Sequence, residues 1–282
     1  MKELATPQSI VVGIDGSKAA IRAALWAIDE ATSRDAALRL LYATERGDTQ
    51  EREPAAAEAA IRHAIKAIES AGKSVKIETE VTQGPAIGSL ISASASAAMV
   101  CVGAVGLRHF RPDRVGSTAA ALAISARCPV GIIRVRDDHL DRPADGIVVE
   151  LDGSPDNGVL LGAAVMEARL RNAAIRAIVC RRTAPDDKGP ATRRLAEGDR
   201  RALADLDRRL ARWKRSYPDL RVESAAVHGG LLEYLAENRR SVGLVIVGHN
   251  DRQRLNELAG PAGSAVLQDA DCSLLIVNQQ HL

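Results

Sequence analysis

The sequence predicts an α/β protein made of two tandem open parallel-sheet domains with helices on both faces. Three observations carry that prediction. Apolar runs of strand length alternate with stretches of helical periodicity from one end of the chain to the other, which is the signature of strand–helix–strand units. The chain also repeats itself: SIVVGIDGS at Ser9–Ser17 returns 137 residues later as GIVVELDGS at Gly146–Ser154, and ARCPVGIIRV at Ala126–Val135 is echoed by DADCSLLIVN at Asp269–Asn278. Finally, hydrophobic residues make up 46% of the 282 positions but aromatic ones only 2%, so the cores must be built from Ala, Val, Ile and Leu, which suit helices packed on a buried parallel sheet. The length suits two domains. Residues 1–136 and 145–282 are the expected units, and the charged stretch Arg136–Asp145, with Pro143, reads as an exposed linker.

In the first copy, strands are expected near Ile10–Ile14, Ala37–Tyr42, Val75–Val81, Met99–Val102 and Val130–Val135. Between the first two, Ile21, Ala24, Leu25, Ile28 and Ala31 recur at helical spacing, with Ser17 placed to cap. Ile61, Ala64, Ile65 and Ile68 mark a second helix, Gly84-Pro85 starts a third and Ser117–Ala126 forms a fourth. The second copy repeats the plan with strands at Ile147–Leu151, Ile175–Val179, Val222–Val227, Leu244–Val247 and Leu274–Val277. Its second helix is the most charged stretch of the chain, with Leu203, Leu206, Leu210 and Trp213 as a buried stripe. Val81–Leu107 carries no charge and is long enough to span a bilayer, yet Gly84, Pro85 and Gly88 punctuate it and serines recur at Ser89, Ser92, Ser94 and Ser96. A short helix followed by a strand is expected there, with the uncharged helix Ala86–Ala97 covered by the other domain or another subunit.

Charge and motif content exclude several classes. With 38 basic and 36 acidic side chains the net charge is +2, and no basic block resembles a nucleic-acid footprint, so no nucleic-acid partner is expected. Cys101, Cys128, Cys180 and Cys272 lie far apart in or beside apolar runs, which spells neither a zinc site nor a redox pair. The N-terminus lacks the apolar core of a signal peptide. A cytoplasmic protein with no membrane association is the expectation. The histidines show no metal-ligand spacing, Gly13–Lys18 is not a Walker A sequence, and neither GxSxG nor a GxGxxG after the first strand is present. No catalytic residue, no metal and no enzymatic activity are therefore expected.

Candidate ligand chemistry concentrates in MVCVGAVGLRHFRPDRVGS at Met99–Ser117. A buried strand gives way to Gly103 and Gly106, and Gly116-Ser117 opens an apolar helix nine residues on. Glycines let backbone approach a ligand, and a helix N-terminus offers unpaired N–H groups to an anion. Gly103 and Gly106 would bring backbone amides to phosphates, Ser117 would donate its hydroxyl, and Thr118 would assist. Arg108, His109, Arg111 and Arg114 could offset phosphate charge, or form a solvated basic loop.

This spacing, Gly103-x2-Gly106-x9-Gly116-Ser117, together with the VVGIDGS strand end and the Cys-Pro before the last strand, resembles the universal stress protein family in its tandem, ATP-binding form. The resemblance implies a Rossmann-like sheet of strand order 3-2-1-4-5 in each domain, with ATP bound across the ends of the first and fourth strands. Gly13 and Asp15 would lie at the first strand end, Asp15 against adenine and ribose, and Ala43 would contact the base. Asp15 and Ser17 can also form only a turn and helix cap, but the matching glycine cradle favours ligand contact. The implied function is an ATP-binding stress-response protein acting as a nucleotide-dependent sensor or regulator. Cyclic AMP or AMP as ligand, or slow ATPase activity, are the alternatives. The two copies are expected to pair as an intramolecular pseudo-dimer, with a homodimer of chains also open.

The second copy departs from the pattern. Glu150 replaces the glycine equivalent to Gly13, Asp251 falls opposite Gly106, and Gly260-Pro261 replaces Gly116-Ser117, unless Gly263-Ser264 is the counterpart. Asp152 persists. A carboxylate repels phosphate and proline removes a donor, so this copy is expected to bind ATP weakly or not at all.

Overall fold

A computed structural model of the chain describes residues 9–44, 53–106, 116–134, 146–152, 154, 157–181 and 191–277. The first half runs β1 (Ile10–Gly13), α1 (Lys18–Ser33), β2 (Leu38–Thr44), α2 (Glu53–Ser70), β3 (Ile77–Gln83), α3 (Ala86–Ala93), β4 (Met99–Gly103), α4 (Ser117–Ser125) and β5 (Val130–Ile133). The second runs β6 (Gly146–Glu150), α5 (Asn157–Arg171), β7 (Ile175–Arg181), α6 (Ala191–Ser216), β8 (Val222–His228), α7 (Leu231–Glu237), β9 (Val242–Gly248), α8 (Arg252–Ala259), α9 (Pro261–Asp269) and β10 (Ser273–Val277). Every expected strand is present within a few residues of its expected bounds. Helix α8 is additional to the expected pattern. The linker Arg136–Asp145 and the loop residues Arg108, His109, Arg111 and Arg114 lie outside the described residues.

Each half has the strand order 3-2-1-4-5, and the two are joined into one ten-stranded sheet, β3-β2-β1-β4-β5-β10-β9-β6-β7-β8. Pairing is parallel within each half. At the seam β5 and β10 run antiparallel, with Leu274 opposite Ile132, Leu275 opposite Gly131 and Ile276 opposite Val130. The last strand of each copy would otherwise expose a buried-type apolar edge. Here each edge is covered by its counterpart, related by a pseudo-twofold axis. The Arg134 backbone amide also donates to Ser273 Oγ at 3.1 Å, and its guanidinium donates to Ser264 Oγ at 3.0 Å. Burial holds this arginine's pKa below its usual value.

Strand side chains alternate between two apolar layers, each continuous through both halves. One lies under α1, α2, α5 and α6, the other under α3, α4, α7, α8 and α9. Helix α1 approaches its face through Ala20, Ala23, Ala24, Ala27 and Ala31, and α6 buries Leu206 and Leu210, as the helical period requires.

Helix α3 corrects one half of an expectation: it packs on α4, β1 and β2 of its own half rather than on the second domain, and another subunit stands as the other expected neighbour. The outer side of α3, with Gly88, Ser89, Ser92 and Ser96, borders an open groove floored by Arg39, Glu80 and Thr82. No helix among the described residues is long and apolar enough to cross a membrane.

Because sheet and cores are continuous across the seam, the halves should unfold together. Ile28→Ala in the first half and Leu210→Ala in the second should each cost about 2–4 kcal/mol and move one shared transition in chemical denaturation. Two separable transitions, each responding to one variant only, would contradict this.

Candidate functional site

The strand order reverses between β1 and β4, where one chain connection leaves each way and opens a crevice at the carboxyl ends of the strands. A cavity of about 410 Å³ fills that crevice, a volume in the range of small-molecule sites. Gly13, Asp15, Ala43, Gly103, Gly106, Gly116, Ser117 and Thr118 all line it, although they come from four separate stretches of the chain.

Local chemistry explains each placement. After β1, Gly16 takes a φ of 85°, a left-handed turn that glycine makes without strain. The Ser17 amide donates to Asp15 Oδ1 at 2.9 Å, and Ser17 Oγ accepts from the Ala20 amide at 3.1 Å as the N-cap of α1. Asp15 thus serves as turn former and cavity lining at once. Gly103 has a packing reason to be glycine: a Cβ there would fall 2.6 Å from the Ala19 carbonyl carbon and Cβ, so the first turn of α1 could not lie on the end of β4. A Cβ on Gly106 would sit 2.8 Å from Asp15 Oδ2, which brings the aspartate against the glycine loop. A Cβ on Gly13 would press on Leu90 and Val102 at 3.1 Å.

The Gly116 amide donates to the Ala104 carbonyl at 2.8 Å and closes the base of the loop. Gly116 is the N-cap of α4 and supplies no side-chain cap, so the first turn of α4 presents its amides and the Ser117 and Thr118 side chains to the cavity end. Beyond Ser17, the rest of the lining is largely apolar and was not singled out as a site from the sequence; it includes Ile14, Tyr42, Pro85, Ile87, Leu90, Val102 and Val105. The uncharged start of α3 was the available signal, since β3, β2, β1 and β4 are neighbours. The result is an amphipathic slot, with an apolar end near Ala43, Pro85 and Leu90 and a donor-rich end at Gly106 and Gly116–Thr118.

The universal stress protein family model matches twice, over residues 7–134 and 144–278. The chain belongs to the universal stress protein family. It is 54% identical to the universal stress protein Rv2028c of Mycobacterium tuberculosis over the full length of both chains. A universal stress protein from Archaeoglobus fulgidus shares the fold over 97% of each chain, with a TM-score of 0.70 at 14% identity. A shorter universal stress protein, solved in complex with cAMP, matches 44% of this chain and 93% of its own length at 28% identity, with a TM-score of 0.36.

In the second half of this universal stress protein, charged side chains stand at the corresponding strand end. Asp152 keeps its turn, accepting from the Ser154 amide at 2.8 Å. Burial pulls its pKa upward, but hydrogen bonds from the Ser154 amide and hydroxyl and from its own amide, with the Arg209 charge, together outweigh it and the carboxyl stays below the usual range. Glu150 stands where the first half has Gly13, and Arg254 of α8 reaches it at 2.5 Å while also pairing with Glu257. Burial raises Glu150 above the ordinary glutamate value even with Arg254 beside it. Burial and the Glu150 charge push the Cys180 thiol up to about 12, so it stays protonated. Asp251, opposite Gly106 in the repeat, is spent as the N-cap of α8, accepting from the Arg254 amide at 2.9 Å. Helix α9 starts at Gly260-Pro261, which fixes that pair as the counterpart of Gly116-Ser117. Gly263 and Ser264 are buried inside the helix.

Arg254→Ala should therefore destabilise the protein by about 2–3 kcal/mol, because it leaves Glu150 without its counter-charge. Adding Glu150→Gly should recover a measurable part of that loss. Equal stability of wild type and Arg254→Ala in denaturant titrations would remove the pair from this account.

Proposed function

We propose that this protein is an ATP-binding stress-response regulator with a single nucleotide site, in its first domain, and no catalytic role. The observation that carries the reading is the convergence of Gly13, Asp15, Ala43, Gly103, Gly106, Gly116, Ser117 and Thr118 on one cavity of nucleotide size. Its apolar end suits a purine and the Asp15 carboxylate can accept from an exocyclic amine or ribose hydroxyl. The uncapped start of α4 suits phosphate. Among the described residues Asp15 is the sole carboxylate lining the cavity. Occupancy would change the surface around Gly106 and Gly116–Thr118 that partners can read.

Calorimetric titration with ATP tests this directly. One nucleotide should bind per chain, and Gly106→Asp should weaken binding by at least about tenfold, because the new carboxylate meets both Asp15 and the phosphates. Ser117→Ala should lose about three- to tenfold, the worth of one hydrogen bond to a charged group. Unchanged affinity in Gly106→Asp would remove the cradle from the reading. Competition by AMP and cAMP ranks the adenine ligands, and phosphate release that disappears in Ser117→Ala would favour a slow ATPase instead.

A further inference from the structure

The offset that relates Ser9 to Gly146 also relates Glu30 to Glu167 and Arg34 to Arg171. The repeat thus carries a Glu-x3-Arg pair in each copy, on α1 and on α5. The pseudo-twofold axis brings both pairs together where α1 meets α5. Glu30 is fully buried and Glu167 is 2% exposed. Arg171 bridges them, with Nη2 at 2.6 Å from Glu30 Oε1 and Nη1 at 2.5 Å from Glu167 Oε2. Arg34 closes the other side of Glu30 at 2.5 Å. The guanidinium of Arg171 also lies over Trp26, 4.1 Å from the ring centroid.

The two carboxylates are not served equally. Glu30 receives aligned hydrogen bonds from Arg34 and Arg171. Glu167 Oε2 and Arg171 Nη1 are close but misaligned, and both atoms are buried without a hydrogen-bond partner. A buried carboxylate in that position is costly, whereas a carboxyl group bearing a proton is not. We propose that Glu30, Arg34, Glu167 and Arg171 form a proton-operated latch between the two halves: while Glu167 holds a proton, Arg171 stays on Glu30 and Trp26, and its loss sets two carboxylates against each other and draws Arg171 off the ring.

Burial, and next the Glu30 carboxylate, push Glu167 from the ordinary 4.5 up to about 8, against the opposing pull of Arg171 and Arg34. Among the described residues Cys101 on β4 also faces the cluster, and burial and Glu30 push it well upward, so it stays a neutral thiol. An acid whose folded pKa is raised stabilises the fold fully below the unfolded value and loses that contribution as pH rises through the folded one. The latch is therefore closed at neutral pH and loosens on the alkaline side.

Trp26 reports the state directly. The other tryptophan is Trp213, so Trp213→Phe isolates the signal. Its emission should change in a one-proton transition centred near pH 8. Glu167→Gln in that background should hold the low-pH emission throughout, and Glu30→Gln should move the midpoint to lower pH. Relative to Glu167→Gln, the wild-type thermal midpoint should fall steadily as pH rises toward 8 and level off above it. A flat Trp213→Phe titration from about pH 6 to about pH 10, or a transition unchanged by Glu167→Gln, would overturn the proposal. Should Glu167→Gln not fold, the Trp213→Phe titration and the Glu30→Gln shift decide alone.

Discussion

Strands β1 and β4 lie side by side with Ile10 opposite Met99 and Val12 opposite Cys101, and this one parallel pairing is what the site depends on. The connection after β1 leaves through α1 toward one face, and the connection after β4 leaves toward α4 on the other. The two connections part at the strand ends, so a crevice opens there by topology. The absence of side chains at Gly13, Gly103 and Gly106 keeps it open. Of these, Gly103 also lets α1 start directly over β4, which ties the shape of the cavity to the packing of the core.

The duplicated half puts the same topology to a different use. Its crevice has equivalent walls but carries Glu150 at the strand end, and a carboxylate there needs a counter-charge. Arg254 supplies it from a helix inserted between β9 and α9. One copy therefore offers a slot with donors around it, and the other offers a closed charge network. A glutamate in place of glycine thus sets a paired charge at the second strand end, where the first has an open slot.

The seam is a second consequence of duplication. Two sheets that would each end on an apolar strand instead share an antiparallel β5–β10 pair, and the same axis superimposes two buried Glu-x3-Arg pairs. Helix α1 begins at the cavity with Ser17 and carries Glu30 near its other end. One rigid element thus touches both the site and the junction.

Local sequence determined much of this protein. The alternation of strands and helices, the repeat and its offset, and the glycine-rich ends of β1 and β4 depend on neighbouring residues and on backbone preferences, so they are legible in order along the chain. Gly106 and Ser117 could be picked out because glycine and hydroxyl spacing reflects backbone geometry, and Asp15 because the end of the first strand resembles the family's. Tertiary structure decided the rest. The apolar wall from Pro85 to Leu90 looked like ordinary core or a membrane-length stretch, and only the adjacency of β3, β2, β1 and β4 makes it part of a cavity. Arg254 was one arginine among many until α8 placed it on Glu150. Glu30 and Glu167 stand 137 residues apart, and only the pseudo-twofold axis sets them side by side, because the energy of a buried charge depends on what is near it in space.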